Sequence, residues 1–316
     1  MEIKNIDIKT ISEKSDSIFL SKEWLELYDD NLKCYGIFNK DNKIIGGFTL
    51  YIEKKAGFLK YYRNPFYNPT INLFYENKAQ NKAKLLSENK KVLLLLADFF
   101  SKLPYHIFSV YLPNNYIDTQ AFFWKGFKVI PNYTYLLDLN KDISEIEKNF
   151  STERRNDIKK AEKDNIKTKL STDYNTVENL IMNTFNRKEK SVDKDMIHKI
   201  LFNFANNKNS FAFVSYKDEK AIATSFCIYD NEKVYYLLGG YDNNNKHQGA
   251  GALAVFNAIK YSKELGIKKF DFEGSMLPEV EKYFRGFGGD LTPYYSINKA
   301  KLPIEIALKF INRSLY

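Results

Sequence analysis

Cysteine, histidine, arginine and long apolar runs are all scarce in this sequence, and each scarcity closes off a class of function. Its two cysteines, Cys34 and Cys227, are too few for a disulfide framework or a thiolate zinc site in a chain of 316 residues. The three histidines, His106, His198 and His247, show no metal-ligand spacing, so no structural or catalytic metal is expected. The most apolar run, Val92 to Phe100, contains Asp98 and falls well short of the roughly 20 residues that span a bilayer. The opening Met1-Glu2-Ile3-Lys4 lacks the charged-then-apolar layout of a signal peptide. A cytoplasmic, reducing location without a transmembrane segment is the expectation. Arginine occurs only at 63, 154, 155, 187, 285 and 313, so the net charge of +9 is carried mainly by lysine. Such a surface attracts phosphates of any kind, a nucleotide or RNA included. It lacks the planar forks on which sequence-specific base readers rely.

Aromatic residues, by contrast, are abundant. Tyr, Phe and Trp make up 16% of the chain, which is enough for a sizeable core in each half and excludes a disordered protein. The length suits two domains of about 150 residues each, and the sequence echoes itself accordingly. Cys34 to Gly46 and Phe211 to Ala223 each read as an apolar strand, a Lys-Asp-X-Lys turn and a second apolar strand, a hairpin signal. Phe122-Phe123-Trp124-Lys125-Gly126-Phe127 leads to Pro131 and the Tyr-rich 133–135. Tyr283-Phe284-Arg285-Gly286-Phe287 leads likewise to Pro293 and 294–297. Both segments predict a short aromatic helix, a basic-Gly-Phe stop and a final strand. Between the echoes, a helix over 82–102 precedes a strand at 107–111, and a helix over 253–265 precedes a strand at 267–272. Gly266 is placed to end that second helix in the left-handed region. The fold class is therefore α/β, of the α+β mixed-sheet kind, with domains at 1–140 and 141–316. Each is expected to be a mixed, largely antiparallel sheet flanked by helices. The junction, 143–165, reads as helical and polar, with Arg154, Arg155, Lys159, Lys160 and Lys163 forming a solvated face or a rim for a carrier's phosphates.

The most informative stretch is Gly239-Gly240-Tyr241-Asp242-Asn243-Asn244-Asn245-Lys246-His247-Gln248-Gly249-Ala250-Gly251-Ala252, between a Tyr-rich strand and an apolar helix. Strand, small-residue loop, helix is the arrangement that aims backbone N–H groups at an anion. It is neither a P-loop nor the dinucleotide fingerprint, since no Gly-Lys-Ser/Thr follows and the third glycine is missing. Tight turning and close helix packing account for the same glycines.

The block from Val234 to Tyr295 resembles the cofactor half of the GNAT acetyltransferase superfamily, whose Arg/Gln-X-X-Gly-X-Gly/Ala loop grips the pyrophosphate of coenzyme A. Lys246-His247-Gln248-Gly249-Ala250-Gly251 fits that loop with Lys in first position. The echoing halves narrow the resemblance to the tandem, FemAB-like branch, which includes peptidoglycan-bridge aminoacyltransferases. So do Phe270-Asp271-Phe272-Glu273-Gly274, the 283–289 block and the linker 152–161. The resemblance covers most of 141–300, and residues 1–140 mainly by topology. It implies direct transfer of an acyl group from acyl-CoA, acetyl-CoA first, to an amine acceptor such as an amino sugar or cell-wall precursor. The alternatives are an aminoacyl-tRNA donor, or a binding protein that kept the fold without catalysis.

Such chemistry needs a base for the amine, donors for the oxyanion and an acid for the leaving group. Glu273 and Asp271, at a strand end and facing away from Phe270 and Phe272, are the candidate bases, with Glu273 first. Tyr283 is the candidate acid, as the resemblance implies. Backbone amides near Leu238 and Gly239 are the expected oxyanion donors. Lys246, His247, Gln248, Gly249, Ala250, Gly251 and Ala252 are the expected donor-binding residues. The first half has no such loop. Its prolines in 63–70 remove N–H donors, so Arg63, Tyr67 and Asn68 are assigned to the acceptor side.

Overall fold

The computed structural model describes residues 1–187, 193–274 and 276–311. The chain divides into two compact units, one comprising Met1–Asn132 with the chain from Pro293 onward, the other Tyr133–Thr292.

In unit 1 the strands are β1 (Glu2–Ile6), β2 (Leu32–Phe38), β3 (Ile44–Lys55), β4 (Leu59–Arg63), β5 (Phe74–Tyr75) and β6 (Ile107–Tyr111). They run in the order β1-β2-β3-β4-β6, antiparallel except for the parallel pair β4 and β6, with β5 on β3. The expected first hairpin is present, and Asn42 in its turn takes a left-handed φ of 57°. The helix predicted at 82–102 spans Lys82–Lys102, started by the Asn81 side chain, which accepts from the amides of Ala83 and Lys84. Its buried face, Val92, Leu93, Leu96, Ala97 and Phe100, recurs at helical spacing and packs on Phe48, Phe108 and Phe122.

Unit 2 repeats the plan. Its strands are β7 (Lys128–Asp138, from Tyr133), β8 (Lys167–Ser171), β9 (Ser210–Lys217), β10 (Lys220–Tyr229), β11 (Lys233–Tyr241) and β12 (Lys269–Asp271). The order is β8-β9-β10-β11-β12-β7, antiparallel except for the parallel pair β11 and β12. The second hairpin turns through Asp218 and Glu219, both left-handed. The parallel step is bridged by a helix, Ala250–Glu264, which starts ahead of the expected 253 and is followed by left-handed Gly266.

The division differs from the expected 1–140 and 141–316 for a reason visible in the hydrogen bonds. The last strand, β13 (Asp290–Ala300), pairs its residues 296–300 with 107–111 of β6, so it completes the sheet of unit 1. Conversely, β7, which ends the first half of the sequence, pairs its residues 136–138 with β12 in unit 2. Each half of the sequence thus gives its closing strand to the other sheet.

The junction is two helices, Ile143–Lys148 and Thr152–Lys163, with Ser151 capping the second through the Arg154 amide. Lys159, Lys160 and Lys163 are exposed as expected, but Arg154 is not part of that face. It is only 5% exposed and paired at 2.8 Å with Asp157, itself 4% exposed. Helix Thr152–Lys163 packs on the start of helix Ala250–Glu264 at Gly249, where a Cβ would collide with the Asp157 carbonyl oxygen. At Gly251 the nearest atom to such a Cβ is the Tyr283 hydroxyl, 3.6 Å away.

These two glycines therefore respond oppositely to one added methyl. Gly249→Ala is expected to cost about 1–3 kcal/mol by overpacking. Gly251→Ala is expected to be neutral or to gain up to about 1 kcal/mol of helix propensity. Thermal denaturation of the two variants checks this, and a Gly249→Ala protein as stable as the parent would contradict the packing.

Candidate active site

The parallel contact between β11 and β12 is short. Lys233, Val234 and Tyr235 pair with Lys269, Phe270 and Asp271, after which β12 ends while β11 continues to Tyr241. On its other side β12 is held by β7, and the Phe272 amide extends that ladder by donating to the Tyr135 carbonyl at 3.1 Å. Along the far edge of β11 the register slips: Cys227 stands opposite Tyr236 and Phe226 opposite Leu238, which leaves Leu237 as a bulge. A bulge twists its strand and re-aims the neighbouring backbone groups. The amides near Leu238 and Gly239, expected as oxyanion donors, therefore follow a bulge on the part of β11 that β12 does not cover.

Strand alternation places Phe270 and Phe272, both fully buried, in the core with Phe284 and Phe287. Asp271 and Glu273 have the opposite parity. Glu273 departs from ordinary chemistry in three ways. Its φ is +60°, unusual for a residue with a side chain. Its Oε1 is buried and has no hydrogen-bond partner. Its carboxyl is held well above the usual glutamate range, mainly by burial, then by the charge of Asp271, with Lys233 pulling the other way. Asp271 is placed differently. Its Oδ1 accepts from the Thr134 hydroxyl at 2.7 Å and from the Glu273 amide at 3.0 Å, and its Oδ2 lies 3.7 Å from Lys233 Nζ. Of the two candidate bases, Glu273 is the one with an uncommitted oxygen.

The glycine loop is tied into the unit by its own side chains. Gln248 donates to Asp157 Oδ1 at 2.8 Å, and Asp157 Oδ2 receives Arg154. The Gly249 amide donates to His247 Nδ1 at 3.1 Å, so the ring proton sits on Nε2, 3.0 Å from Asp164. Lys246 lies over the Tyr241 ring. Ala250 and Ala252 are core residues, each 1% exposed. Gly249, expected to admit a pyrophosphate, instead admits the backbone of helix Thr152–Lys163. What the loop offers an anion is the start of a long helix, with the amides of Gly251 and Ala252 bonded to no other backbone group among the described residues.

Tyr283 stands at that helix start. The Arg154 guanidinium lies 4.2 Å from its ring centre, and its hydroxyl approaches Gly251. Burial pushes this phenol up to about 12, against the pull of Arg154, so it keeps its proton at neutral pH. No hydrogen bond, ion pair or ring contact joins Tyr283 to Glu273 among the described residues. The ring of Tyr236 packs on Phe272 and Phe284, and its hydroxyl fills the space a Cβ on Gly239 would need. Tyr236, Thr134, Lys233 and the Leu237 bulge belong to this neighbourhood but were not among the residues that the sequence singles out. Thr134 carries a signal as a member of the Tyr-rich strand that closes the first echo, and Tyr236 as a member of the Tyr-rich strand before the glycine loop.

In unit 1 the three acceptor-side residues have mixed roles. Asn68 is a core residue whose Oδ1 accepts from Trp24 Nε1 at 2.7 Å and from the Tyr28 hydroxyl at 3.0 Å, while its Nδ2 has no partner. Arg63 pairs with Glu53 at 3.2 Å and stacks on Phe66 at 4.2 Å, with Nε buried and unpartnered. Tyr67 takes a left-handed φ of 59° in the loop between them. Among the described residues no helix is long and apolar enough to cross a membrane, and no three His, Cys, Asp or Glu side chains gather as a metal site.

Comparison with known proteins accords with this geometry. Residues 153–285 match the acetyltransferase (GNAT) domain family. No curated protein matches the sequence. FemX has a similar structure over 98% of this chain and 99% of its own, at 12% identity and a TM-score of 0.66. L-PGS from Bacillus licheniformis is similar over 98% of this chain and 96% of its own, at 12% identity and a TM-score of 0.58. A tandem GNAT protein from the clavulanic acid biosynthesis pathway is similar over 94% and 98%, at 9% identity and a TM-score of 0.50. At such identities the likeness is one of fold. Residues 153–285 match the GNAT domain family, and the chain as a whole has a fold like that of FemX and of the tandem GNAT protein.

Proposed function

We propose that this chain transfers an acyl group directly from a carrier to an amine, with Glu273 accepting the proton that the amine nitrogen loses. The observation that carries this reading is the state of Glu273: half-buried and left-handed, with one buried, unpartnered carboxyl oxygen and a raised pKa, just past the end of β12. Such a group costs stability, and carboxylates of this kind cluster where proton transfer is needed. The nitrogen adds to the carbonyl carbon, its proton passes to Glu273, and the C–O or C–S bond to the carrier breaks as the leaving atom gains a proton. Tyr283 holds a proton at neutral pH and stands at the helix start, which supports it as that donor. The amides near Leu238 and Gly239 are the proposed oxyanion donors. The unpartnered Arg63 Nε and Asn68 Nδ2, with Tyr67 between them in the loop, support a part for unit 1 in recognising the acceptor. An amino sugar or cell-envelope precursor fits the reading.

An acyl-CoA donor, acetyl-CoA first, is the leading choice, on the strength of the GNAT domain match and the amide of Gly251 at the helix start. One observation favours aminoacyl-tRNA instead. Asp157 and Asp164 already bring carboxylates to the glycine loop, so a pyrophosphate there would meet negative charge. The exposed Lys159, Lys160 and Lys163 offer a polyanion a different handhold. Either donor is made in the cytoplasm, where this reading puts the protein.

Glu273→Gln is expected to lower acyl transfer about 10²–10⁴-fold, the usual worth of a general base. The sign of the pH dependence follows from the raised carboxyl. The parent's rate rises with pH through a value above the ordinary 4.5, and the variant lacks that limb. Undiminished transfer by Glu273→Gln would sink the assignment. Calorimetric titration with acetyl-CoA separates the donors. Saturable binding lost in Gly251→Asp supports coenzyme A at the helix start. No binding, with tRNA binding that weakens steeply as salt rises, supports the second donor.

A further inference from the structure

We infer that Thr134 and Asp271 are positioning residues that fix Glu273 in its left-handed, unpartnered conformation, and that Asp271 does not itself carry the proton. The inference rests on the acyl-transfer reading for its catalytic meaning, but the geometry stands independently of it. A non-glycine residue at φ +60° costs on the order of 1–3 kcal/mol and persists only where its surroundings over-determine it. Asp271 provides that determination through one oxygen. Its Oδ1 receives the Glu273 amide at 3.0 Å and the Thr134 hydroxyl at 2.7 Å. Lys233 Nζ, at 3.7 Å, holds the charge of Oδ2. Protonating Asp271 would weaken all three contacts, whereas Glu273 Oε1 has none to lose.

The next residue supports the same turn. Gly274 is also left-handed, at φ +69°, and a Cβ there would collide with the Tyr133 carbonyl oxygen. The backbone of β7 therefore lies directly against 273–274, which is why Thr134, the neighbour of Tyr133, reaches Asp271. The charged and titratable groups that bear on Glu273 are Asp271 from β12, and Lys233 and Tyr235 from β11, with Asp230 behind Tyr235 at 3.3 Å.

The test uses the full chain labelled with 13C at the glutamate δ-carboxyl. Glu273 is assigned by the signal missing from Glu273→Gln, and its titration is followed by NMR. In the parent it is expected to titrate above the ordinary 4.5. Thr134→Ser keeps the hydroxyl and should leave this unchanged. Asp271→Asn keeps an acceptor oxygen while removing a charge that raises Glu273. It should shift the titration downward in part, because burial is the larger cause. Asp271→Ala removes the acceptor, releases the turn and should return Glu273 to the ordinary range, and Thr134→Val should move it the same way by less. Two outcomes overturn the inference: an unchanged titration in Asp271→Ala and Thr134→Val, or Asp271→Asn falling as far as Asp271→Ala. The base assignment fails separately, through undiminished turnover by Glu273→Gln, and that result leaves the titration series readable.

Discussion

Unit 2 depends on a sheet that is allowed to close for only three residues. Lys233–Tyr235 against 269–271 is enough backbone pairing to fix the parallel register of β12, and β7 on the other side keeps so short a strand in place. Past Asp271 the chain must turn away from β11 at once, and it does so through two consecutive left-handed residues, Glu273 and Gly274. Glycine adopts that geometry freely, but glutamate does not. Asp271 and the backbone of β7 hold that turn, while Phe270, Phe272, Phe284 and Phe287, packed at 5.0–5.4 Å, fix the strand that leads into it. The strained, desolvated carboxyl is therefore a local cost carried by an otherwise well-packed domain, as is common where structure serves chemistry.

Much of this was legible in the sequence because it is written in short-range chemistry. The Lys-Asp-X-Lys turns need left-handed residues and have them. The helix from 82 to 102 shows its apolar face by spacing alone, and Gly266 marks a helix end by its freedom from a Cβ. The parity of Phe270 and Phe272 against Asp271 and Glu273 follows from strand alternation. What was not legible depends on partners distant in sequence. Nothing in the residues of β7 or β13 states which sheet each will join. A bulge such as that at Leu237 has no side-chain signature. Thr134 and Asp271 lie far apart along the chain, and only folding makes them neighbours.

The glycine loop illustrates how one local signal is open to two partners, a packed helix or an anion. Gly249 does exist because something must approach the backbone closely. That something is the carbonyl of Asp157, whose side chain holds the buried Arg154. Arg154 shares the helical spacing of an exposed basic face, and charged residues at such spacing are mostly solvated. Here a carboxylate three residues on, together with the rings of Tyr283 and Phe287, gives it a buried home. Neither Asp157 nor Arg154 carries a signal that separates the two fates.

The exchanged closing strands have a consequence for the order in which the molecule matures on the ribosome. Domains ordinarily finish in the order they are made, the N-terminal one first. Unit 2 is contiguous in the chain and has all its strands by residue 271. Unit 1 starts earlier yet keeps β6 as a bare edge until residues 296–300 have been synthesised and threaded alongside it. The first half to emerge is thus the last to be completed, and until then it carries an unpaired row of backbone donors and acceptors open to any passing strand.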